Sequence, residues 1–339
     1  MNEKLNQILS FYDFTVKNIE KFDKDKEVFK ITDDNGINYF LKIYEKSGGY
    51  DITNGENIYY TYDQIKLESE ILDLLSDSAL KTAVPIKNKT GDFVTMLSFD
   101  SGGEPMYATI TSFINAIPME KSKILTTETA YLFGVAAAQF HLESEKKLLP
   151  LAINRPHKRH DYIQKIRTRL KYGMDIKVFT AEQFKMLEQC CEVILDCMTR
   201  LDEEPESNIG LVHTDIRPAN CMFLSNQVIF IDFSRSVYSY YLYDLGHILL
   251  HGDFGGDKFI QNAVLRGYHL IKPLTKDHLF MMQAFVVMFL LTVMAESIEI
   301  GFENNAWMIH VLKWFKEEVH PGLISGKGYL DFSVYENIL

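Results

Sequence analysis

Alternating hydrophobic and polar residues predict a small antiparallel sheet in the first third of the chain. The Asp34-Asn35-Gly36 sequence is typical of the tight turn that joins two strands of a hairpin. Helices are predicted at residues 2–11 and 60–76, and in the second of these hydrophobic residues recur three and four positions apart. The predicted strands are short alternating runs bounded by turn residues: residues 14–19, 27–32, 37–44, 84–86, 93–99 and 107–114.

Most of the remaining chain has the periodicity of helices. Thr126 or Thr127 is expected to cap a helix that continues to His141. Thr180 begins a capping box, which predicts the start of a long helix that ends near residue 203. Further helices are predicted from the same spacing of apolar residues: residues 242–250, 257–270, 277–300 and 307–318.

The most apolar stretch of the chain is residues 279–295. Gln283 and Thr292 interrupt it, and it is shorter than the ~20 residues that a helix needs to span a bilayer. We therefore predict a helix buried in the centre of the larger domain. The N-terminal sequence is polar and lacks the pattern of a signal peptide.

A segment near residue 220 has a different pattern, in which short apolar runs alternate with polar residues. A polar loop at residues 213–220 follows the first run, Ser225-Asn226-Gln227 forms a turn, and Asp232 follows the last run. Adjacent strands that end in polar segments bring acids and an amide to one rim of a small hairpin. Three strands are predicted in this segment: residues 211–212, 221–224 and 228–231.

The polar residues of this segment have the spacing of a phosphoryl-transfer site. Asp215 follows His213 after one residue, Asn220 follows after four more, and Asp232-Phe233 comes after the last strand. This spacing matches the catalytic-loop and metal-binding pattern of the kinase superfamily. Phosphoryl transfer needs a carboxylate that orients and deprotonates an alcohol, and it needs an amide and a second carboxylate that hold magnesium on the phosphates.

The amino-acid sequence of this segment resembles that of the aminoglycoside phosphotransferase and choline kinase-like family. The resemblance rests on HTDIRPAN at residues 213–220, Ile231-Asp232-Phe233, and Tyr243-Asp244-Leu245-Gly246. It implies an α+β, bilobal protein kinase-like fold with a small antiparallel-sheet N-lobe and a mainly helical C-lobe. The nucleotide-binding lobe is expected at residues 1–114, and the helical lobe with the catalytic loop and acceptor pocket at residues 115–339.

The resemblance also implies roles for the polar residues of the segment. Asp215 is expected to accept or orient the proton of the substrate hydroxyl. Asn220 and Asp232 are expected to hold one or two Mg2+ ions that bridge the phosphates of ATP.

Three further residues of the segment are expected to support the site. His213 is expected to brace the loop by hydrogen bonding. Arg217 is either a substrate or phosphate contact or a surface arginine of the loop, and both interpretations stay open. Asp244, at the start of a helix, is expected to anchor backbone amides of the loop.

The resemblance places the remaining contacts with ATP in the N-lobe. Lys42, in the strand at residues 37–44, is expected to reach the α- and β-phosphates. Glu68 is its expected partner, because an acid on a mostly apolar helix face needs one, and Glu70 is the alternative. Ile114, Asn115 and Ala116, at the end of the strand at residues 107–114, are expected to form a hinge whose backbone binds adenine. A strand that enters a proline turn fits this sequence equally well.

Two features need separate interpretation. The turn at residues 20–27 contains no glycine, so its backbone is expected to approach phosphates less closely than a glycine-rich loop does. Asp253-Phe254-Gly255 and His251-Gly252-Asp253 imitate kinase motifs, but they follow a predicted helix rather than a strand. We interpret them as a glycine-rich helix exit.

Charge and cysteine content limit the partners and the location of the protein. The 339-residue chain has a net charge of -11, which argues against binding to a nucleic-acid backbone. An acidic surface suits a cationic substrate, although it also simply keeps a protein soluble. The four cysteines lack the paired spacing of a zinc site, and three of them share one predicted helix, which suggests reduced core thiols. We expect a cytoplasmic monomer or homodimer that binds neither nucleic acid nor a membrane.

The motif spacing predicts phosphoryl transfer, and the resemblance implies a phosphotransferase that uses ATP and Mg2+ and acts on a hydroxyl of a small molecule of the aminoglycoside, choline or amino-alcohol type. A protein serine/threonine kinase of the stress-response type and a non-catalytic pseudokinase remain alternatives. Acids suit an aminoglycoside acceptor, and aromatic residues suit a quaternary ammonium group. The candidates for the acceptor pocket are Trp307, Trp314, residues 238–243, Glu296, Glu299 and Glu303.

Overall fold

The structure is a computed structural model that describes residues 2–22, 26–44, 49–51, 56–58, 61–78, 80–97, 105–119, 126–204, 208–250, 257–298 and 306–336. Its contacts divide the chain into two compact units. The first unit consists of Met1–Gly49, Asn57–Ala116 and Ile231–Ser234. The second consists of Tyr50–Glu56, Ile117–Phe230 and Arg235–Leu339.

An antiparallel sheet of six strands forms the centre of the first unit, in the order β1-β2-β3-β8-β6, with β7 also paired to β8. The strands that precede Ile117 are β1 (Val16–Lys21), β2 (Val28–Asp33), β3 (Asn38–Tyr44), β4 (Gly49–Asp51), β5 (Glu56–Ile58), β6 (Pro85–Ile86), β7 (Val94–Leu97) and β8 (Met106–Ser112). The two helices of this part are α1 (Asn2–Leu9) and α2 (Tyr62–Ser76). The predicted antiparallel sheet is therefore confirmed.

Local interactions explain why these elements form where they do. In the β2–β3 hairpin, Asp33 accepts hydrogen bonds from the backbone of Asn35 and Ile37, and Gly36 has a positive φ of 79°. Helix α2 begins at a capping box in which the Thr61 hydroxyl accepts from the backbone N–H of Gln64. The predicted hairpin turn and helix are both confirmed.

The two faces of the sheet pack against different elements. Ile8 of α1 belongs to the same core cluster as Ile31, Leu41 and Ile110 of the sheet. Tyr44 belongs to a smaller cluster with Ile65 of α2 and with Val94. Because side chains alternate along a strand, Lys42 lies on the same face of β3 as Tyr44, opposite to Leu41.

Helices make up most of the second unit: α3 (Thr127–Glu143), α4 (Leu149–Ala152), α5 (His160–Asp175), α6 (Ala181–Asp202), α7 (Tyr241–Leu250), α8 (Lys258–His269), α9 (Lys276–Ser297), α10 (Ala306–Trp314), α11 (His320–Ile324) and α12 (Ser333–Glu336). Thr126 and Thr180 cap α3 and α6 with their side chains, as predicted. Two π-helical segments, Ser144–Leu148 and Phe315–Val319, extend α3 and α10.

Helix α9 contains the most apolar stretch of the sequence. By length and composition it could cross a membrane, but 83% of its most apolar window is buried within the protein. Its two polar interruptions are also buried, since Gln283 and Thr292 are both only 3% exposed. The predicted buried helix is confirmed.

Among the described residues from Ile117 onward, the second unit contains five short strands, of which three were predicted and two, Ile117–Pro118 and Val237–Tyr240, were not. Strand β10 (Ile209–Val212) pairs with an unpredicted strand, β13 (Val237–Tyr240). Strands β11 (Cys221–Leu224) and β12 (Gln227–Phe230) form the predicted hairpin, and β9 (Ile117–Pro118) adds to β11. The turn residues Ser225 and Asn226 both have positive φ, 49° and 62°, as a two-residue hairpin loop requires.

The four cysteines are free thiols inside the second unit. Burial raises the pKa of Cys190, Cys191 and Cys197 to about 12, so these thiols stay protonated and unreactive at neutral pH. The prediction of reduced core thiols is confirmed.

Candidate active site

Asp215 lies in the loop at residues 213–220, which connects β10 to β11 and which we call the catalytic loop. The Asn220 side-chain amide donates to Asp215 Oδ2 at 2.7 Å and to the Asp215 carbonyl oxygen at 3.0 Å. Arg217 Nε lies 3.2 Å from Asp215 Oδ1. The Asp215 side chain is 21% exposed, so a carboxylate fixed from two sides keeps access to solvent.

Asn220 has its two amide atoms in different environments. Both partners of its nitrogen, the carboxylate and the carbonyl of Asp215, are acceptors, so the atom that faces them is Nδ2. The opposite atom, Oδ1, is an oxygen donor of the kind that Mg2+ prefers. Asn220 ends a 3-10 turn that begins at Pro218, which fixes its backbone next to β11.

His213 is completely buried at the start of the catalytic loop. Its Nδ1 accepts a hydrogen bond from the backbone N–H of Asp215 at 3.3 Å. The ring therefore braces the backbone of the residue that bears the carboxylate. A direct role of His213 or Arg217 in catalysis stays a prediction.

Asp244 anchors the catalytic loop from the first turn of α7, as predicted. Its carboxylate accepts the backbone N–H of His213 and that of Thr214, each at 2.7 Å. Thr214 has a positive φ of 64°, a conformation that a residue with a Cβ adopts at a cost of about 1–2 kcal/mol. The Thr214 hydroxyl also donates to the carbonyl of Arg235 at 2.8 Å, which holds this conformation.

The Asp244 carboxylate is itself held by His141 of α3. Burial raises the pKa of Asp244, but the hydrogen bond from His141 and the backbone N–H of His213 outweigh it and bring the pKa below its ordinary value. His141 Nε2 lies 3.1 Å from Asp244 Oδ2, and His141 Nδ1 lies 2.9 Å from the Tyr268 hydroxyl. Burial lowers the pKa of His141, so a neutral ring donates to Asp244 and accepts from Tyr268.

Ser144 is a second support of the catalytic loop that the sequence did not reveal. It is fully buried in the π-helical segment that follows α3, and its hydroxyl oxygen accepts the backbone N–H of Leu211 at 2.7 Å. The Tyr241 hydroxyl donates to the same oxygen at 3.4 Å. Ser144 thereby fixes β10 two residues before the catalytic loop begins.

Lys42 and Asp232 form an ion pair within the first unit, with 3.3 Å between Lys42 Nζ and Asp232 Oδ1. The Ser234 hydroxyl donates to the same carboxylate oxygen at 2.7 Å. Asp232, like Thr214, has a positive φ of 64° and is therefore in a strained backbone conformation. The side chains are 24% and 39% exposed, so the pair remains accessible to solvent and can exchange partners.

Glu68 faces the sheet from α2 and is only 6% exposed, whereas Glu70 is half-buried. This difference favours Glu68 over Glu70 as the inward acid. Its contact differs from the expected one with Lys42: Glu68 Oε2 accepts a hydrogen bond from the Tyr44 hydroxyl at 3.3 Å. Tyr44 lies two positions after Lys42 on the same face of β3. This two-residue spacing in the sequence could have identified Tyr44 as a neighbour of Lys42.

The predicted hinge residues leave the sheet immediately after β8. Phe113 still donates its backbone N–H to Asn38 at 3.1 Å, and the Ala116 N–H turns back to the Ile114 carbonyl at 3.0 Å. Asn115 is exposed. Contacts of Ile114, Asn115 and Ala116 with adenine stay a prediction.

The acceptor candidates divide into core residues and surface residues. Tyr240, Tyr241 and Tyr243 are buried core residues, whereas Trp307 is exposed. The Trp314 indole donates to Glu318 at 3.1 Å. Several predicted features lie outside the described residues: residues 23–25 of the glycine-free turn, the imitation motifs at 251–255, Glu299 and Glu303.

The predicted metal ligands, Asn220 and Asp232, are oxygen donors and are too few to hold a metal ion that only protein side chains bind. Within the described residues, no group of three or more His, Cys, Asp or Glu side chains could hold a metal ion. Magnesium needs only one or two protein ligands, because waters and phosphate oxygens complete its coordination. The Asn220 amide oxygen and the accessible Asp232 carboxylate oxygens are each donors of the kind that magnesium takes, and their role as magnesium ligands stays a prediction.

The known proteins to which this chain is similar are named as phosphotransferases and kinases. A family model described as "Phosphotransferase enzyme family" matches residues 19–280. A search of curated proteins found no match. Among solved structures, the chain is similar to amicoumacin kinase hAmiN in complex with AMP-PNP, Ca2+ and Ami, with 16% identity and a TM-score of 0.69 over 100% of this chain and 97% of that one.

Two further solved structures show the same similarity. The microcompartment-associated aminopropanol kinase has 17% identity and a TM-score of 0.70, over 97% of this chain and 99% of that one. An aminoglycoside phosphotransferase from Alicyclobacillus acidocaldarius has 14% identity and a TM-score of 0.61, over 98% and 95%. The predicted kinase-like α+β fold is confirmed.

Proposed function

Because the chain belongs to the phosphotransferase enzyme family, we propose that it transfers the γ-phosphate of ATP to a hydroxyl group of a small amine-bearing molecule. The observation that carries the proposal is the fixed carboxylate of Asp215, which is oriented by Asn220 and Arg217 and open to solvent. A carboxylate with this support and exposure is suited to receive the proton of an alcohol.

The proposed chemistry assigns one task to each polar residue. Asp215 orients the acceptor hydroxyl and takes its proton as the oxygen attacks the γ-phosphorus, and ADP leaves with the bridging oxygen. Asn220 and Asp232 provide oxygen ligands for magnesium, which neutralises charge on the phosphates when it is bound. Lys42 exchanges its ion pair with Asp232 for contacts with the α- and β-phosphates.

Two observations support a small, cationic acceptor. The chain has a net charge of -11, and an acidic protein attracts amines over a distance set by ionic strength. The similar structures include an aminopropanol kinase and an aminoglycoside phosphotransferase, whose names describe amine-bearing alcohols. The four buried free thiols support a cytoplasmic location.

The test is ADP release from magnesium-ATP across a panel of acceptors. The panel contains aminoglycosides, choline, ethanolamine, aminopropanol, homoserine, hydroxylysine, methylthioribose and a serine-rich peptide. We expect turnover with one amine-bearing alcohol, and we expect Asp215→Asn to lower kcat about 10²–10⁴-fold, because the proton loses its acceptor.

The matched control is Asp196→Asn, which removes a carboxylate that is 69% exposed and should leave turnover unchanged. Turnover on the peptide alone would replace the proposal with a protein kinase. Binding of magnesium-ATP without turnover on any acceptor would favour a pseudokinase. Equal activity of Asp215→Asn and wild type would remove Asp215 from its proposed role.

A further inference from the structure

Tyr44 lies against the ammonium group of Lys42 on the α2 face of the sheet. Lys42 Nζ is 4.8 Å from the centroid of the Tyr44 ring, within the range of a cation–π interaction. Both residues come from β3, where positions two apart share a face. The ring therefore limits the directions that a flexible lysine side chain can take.

The hydroxyl of Tyr44 is fixed at the opposite end of the ring. It donates to Glu68 Oε2 at 3.3 Å, and Thr109 Oγ1 lies 3.4 Å away on the neighbouring strand β8. Tyr44 and Glu68 are only 8% and 6% exposed. Burial raises the pKa of the Tyr44 hydroxyl, and the nearby charge of Glu68 raises it further, so the phenol stays a donor.

From these contacts we propose that Tyr44 is a positioning residue, through which Glu68 on α2 holds Lys42 in place for the phosphates of the nucleotide. The inference rests on the proposed function, because it assumes that Lys42 contacts phosphate. In a direct lysine–glutamate pair the charge of the acid is essential. In this arrangement Glu68 is needed as a hydrogen-bond acceptor, and the Tyr44 ring carries its effect to Lys42.

Nucleotide binding provides a test that does not depend on the acceptor. Calorimetric titration with ADP in the presence of magnesium is compared with titration with adenosine, which has no phosphate. We expect Tyr44→Phe to weaken ADP binding about fivefold, the equivalent of one lost hydrogen bond, and to leave adenosine binding unchanged. A general loss of structure would weaken both ligands alike.

The matched control is Tyr39→Phe, which removes the hydroxyl of another β3 tyrosine. Tyr39 lies on the opposite face, and its hydroxyl is 3.4 Å from Asp33. We expect this variant to bind ADP like the wild type. In a Lys42→Met background, Tyr44→Phe should have no further effect on ADP binding, because the residue through which it acts is gone.

Substitutions of Glu68 separate the proposed arrangement from a direct ion pair. Glu68→Gln keeps an oxygen that can accept from Tyr44, whereas Glu68→Ala does not. We expect Glu68→Ala to weaken ADP binding about fivefold and Glu68→Gln to recover most of that loss. Equal losses in both variants would show that the charge matters and would overturn the proposal.

The outcomes distinguish this inference from the proposed function. A wild-type protein that does not bind ADP would overturn both. A wild-type protein that binds ADP, together with a Tyr44→Phe variant that binds it equally well, would overturn only the role of Tyr44. Loss of ADP and adenosine binding together in Tyr44→Phe would make Tyr44 a structural residue and also overturn the proposal.

Discussion

Asp244 is fully buried beside the catalytic loop, where an unpaired carboxylate would be strongly destabilising. Its charge is supported by the backbone N–H groups of His213 and Thr214 and by the His141 ring. Through its hydrogen bond with the Thr214 N–H, the Asp244 carboxylate holds Thr214 in its left-handed conformation, one residue before Asp215. The position of the Asp215 carboxylate thus depends on a second carboxylate, that of Asp244.

His141 makes this network sensitive to acid. Burial lowers the pKa of His141 in the folded protein below its ordinary value of 6.5. Between this lowered pKa and 6.5, His141 binds a proton in the unfolded chain and not in the folded protein, so the free energy of unfolding falls as the pH falls. For a single proton the slope is at most about 1.4 kcal/mol per pH unit.

We therefore predict that His141→Gln flattens the pH dependence of stability between pH 6.5 and 5.5, because glutamine can donate to Asp244 but does not titrate. Denaturant unfolding across this pH range measures the effect. His310→Gln, which replaces an exposed histidine, should keep the slope of the wild type. Equal slopes in His141→Gln and wild type would show that His141 does not contribute to the pH dependence of stability.

At the scale of elements, helices α3 and α8 approach each other closely through two glycines. A Cβ at Gly134 would overlap the carbonyl oxygen of Val264, and a Cβ at Gly267 would overlap that of Tyr131. These atoms belong to the backbone and cannot move aside easily. The close approach brings His141 of α3 to Tyr268 of α8, the contact that supports Asp244.

We predict that Gly267→Ala lowers the free energy of unfolding by about 1–3 kcal/mol through overpacking, although alanine is ordinarily favoured in a helix. Gly173→Ala is the control, because the atoms nearest to its Cβ belong to the side chains of Phe179 and Ile298 and not to the backbone. Chemical denaturation of the three proteins measures the difference. A Gly267→Ala variant as stable as Gly173→Ala would show that the helices can separate without cost.

At the scale of the whole molecule, the predicted site residues belong to two units. Lys42, Glu68 and Asp232 belong to the first, and Asp215 and Asn220 belong to the second. Each unit has its own core and its own supports for these residues. A ligand that binds the folded protein and not the unfolded chain stabilises the folded protein by mass action, according to its concentration and affinity.

We predict that magnesium and ADP together raise the melting temperature, by the equivalent of about 2.7 kcal/mol at a hundredfold excess over Kd. Chelation of magnesium should remove most of this gain. Asp232→Asn should remove the part that depends on magnesium, because an amide binds the cation less strongly than a carboxylate. Thermal denaturation with and without chelator measures both effects.

The control for this prediction is again Asp196→Asn, whose exposed side chain should not alter the gain. If Asp232→Asn kept the full magnesium-dependent gain in melting temperature, Asp232 would not be a magnesium ligand.

The sequence by itself determined the features that depend on near neighbours in the chain. The catalytic loop has its spacing within residues 213–220, and the β11–β12 hairpin is specified by two turn residues with positive φ. The capping boxes at Thr61 and Thr180 each consist of hydrogen bonds between the threonine and the residue three positions later. Such interactions are encoded in a few consecutive positions, so motif and periodicity are enough to predict them.

Only the tertiary structure decided which distant residues support these motifs. His141 and Asp244 are 103 positions apart, and His141 and Tyr268 are 127 apart. The strands β9 and β13 have two and four residues, too few for a periodic signal, and they exist because partners elsewhere in the chain complete their hydrogen bonds. A buried polar group needs a partner, but its sequence position does not say which residue the fold will bring to it.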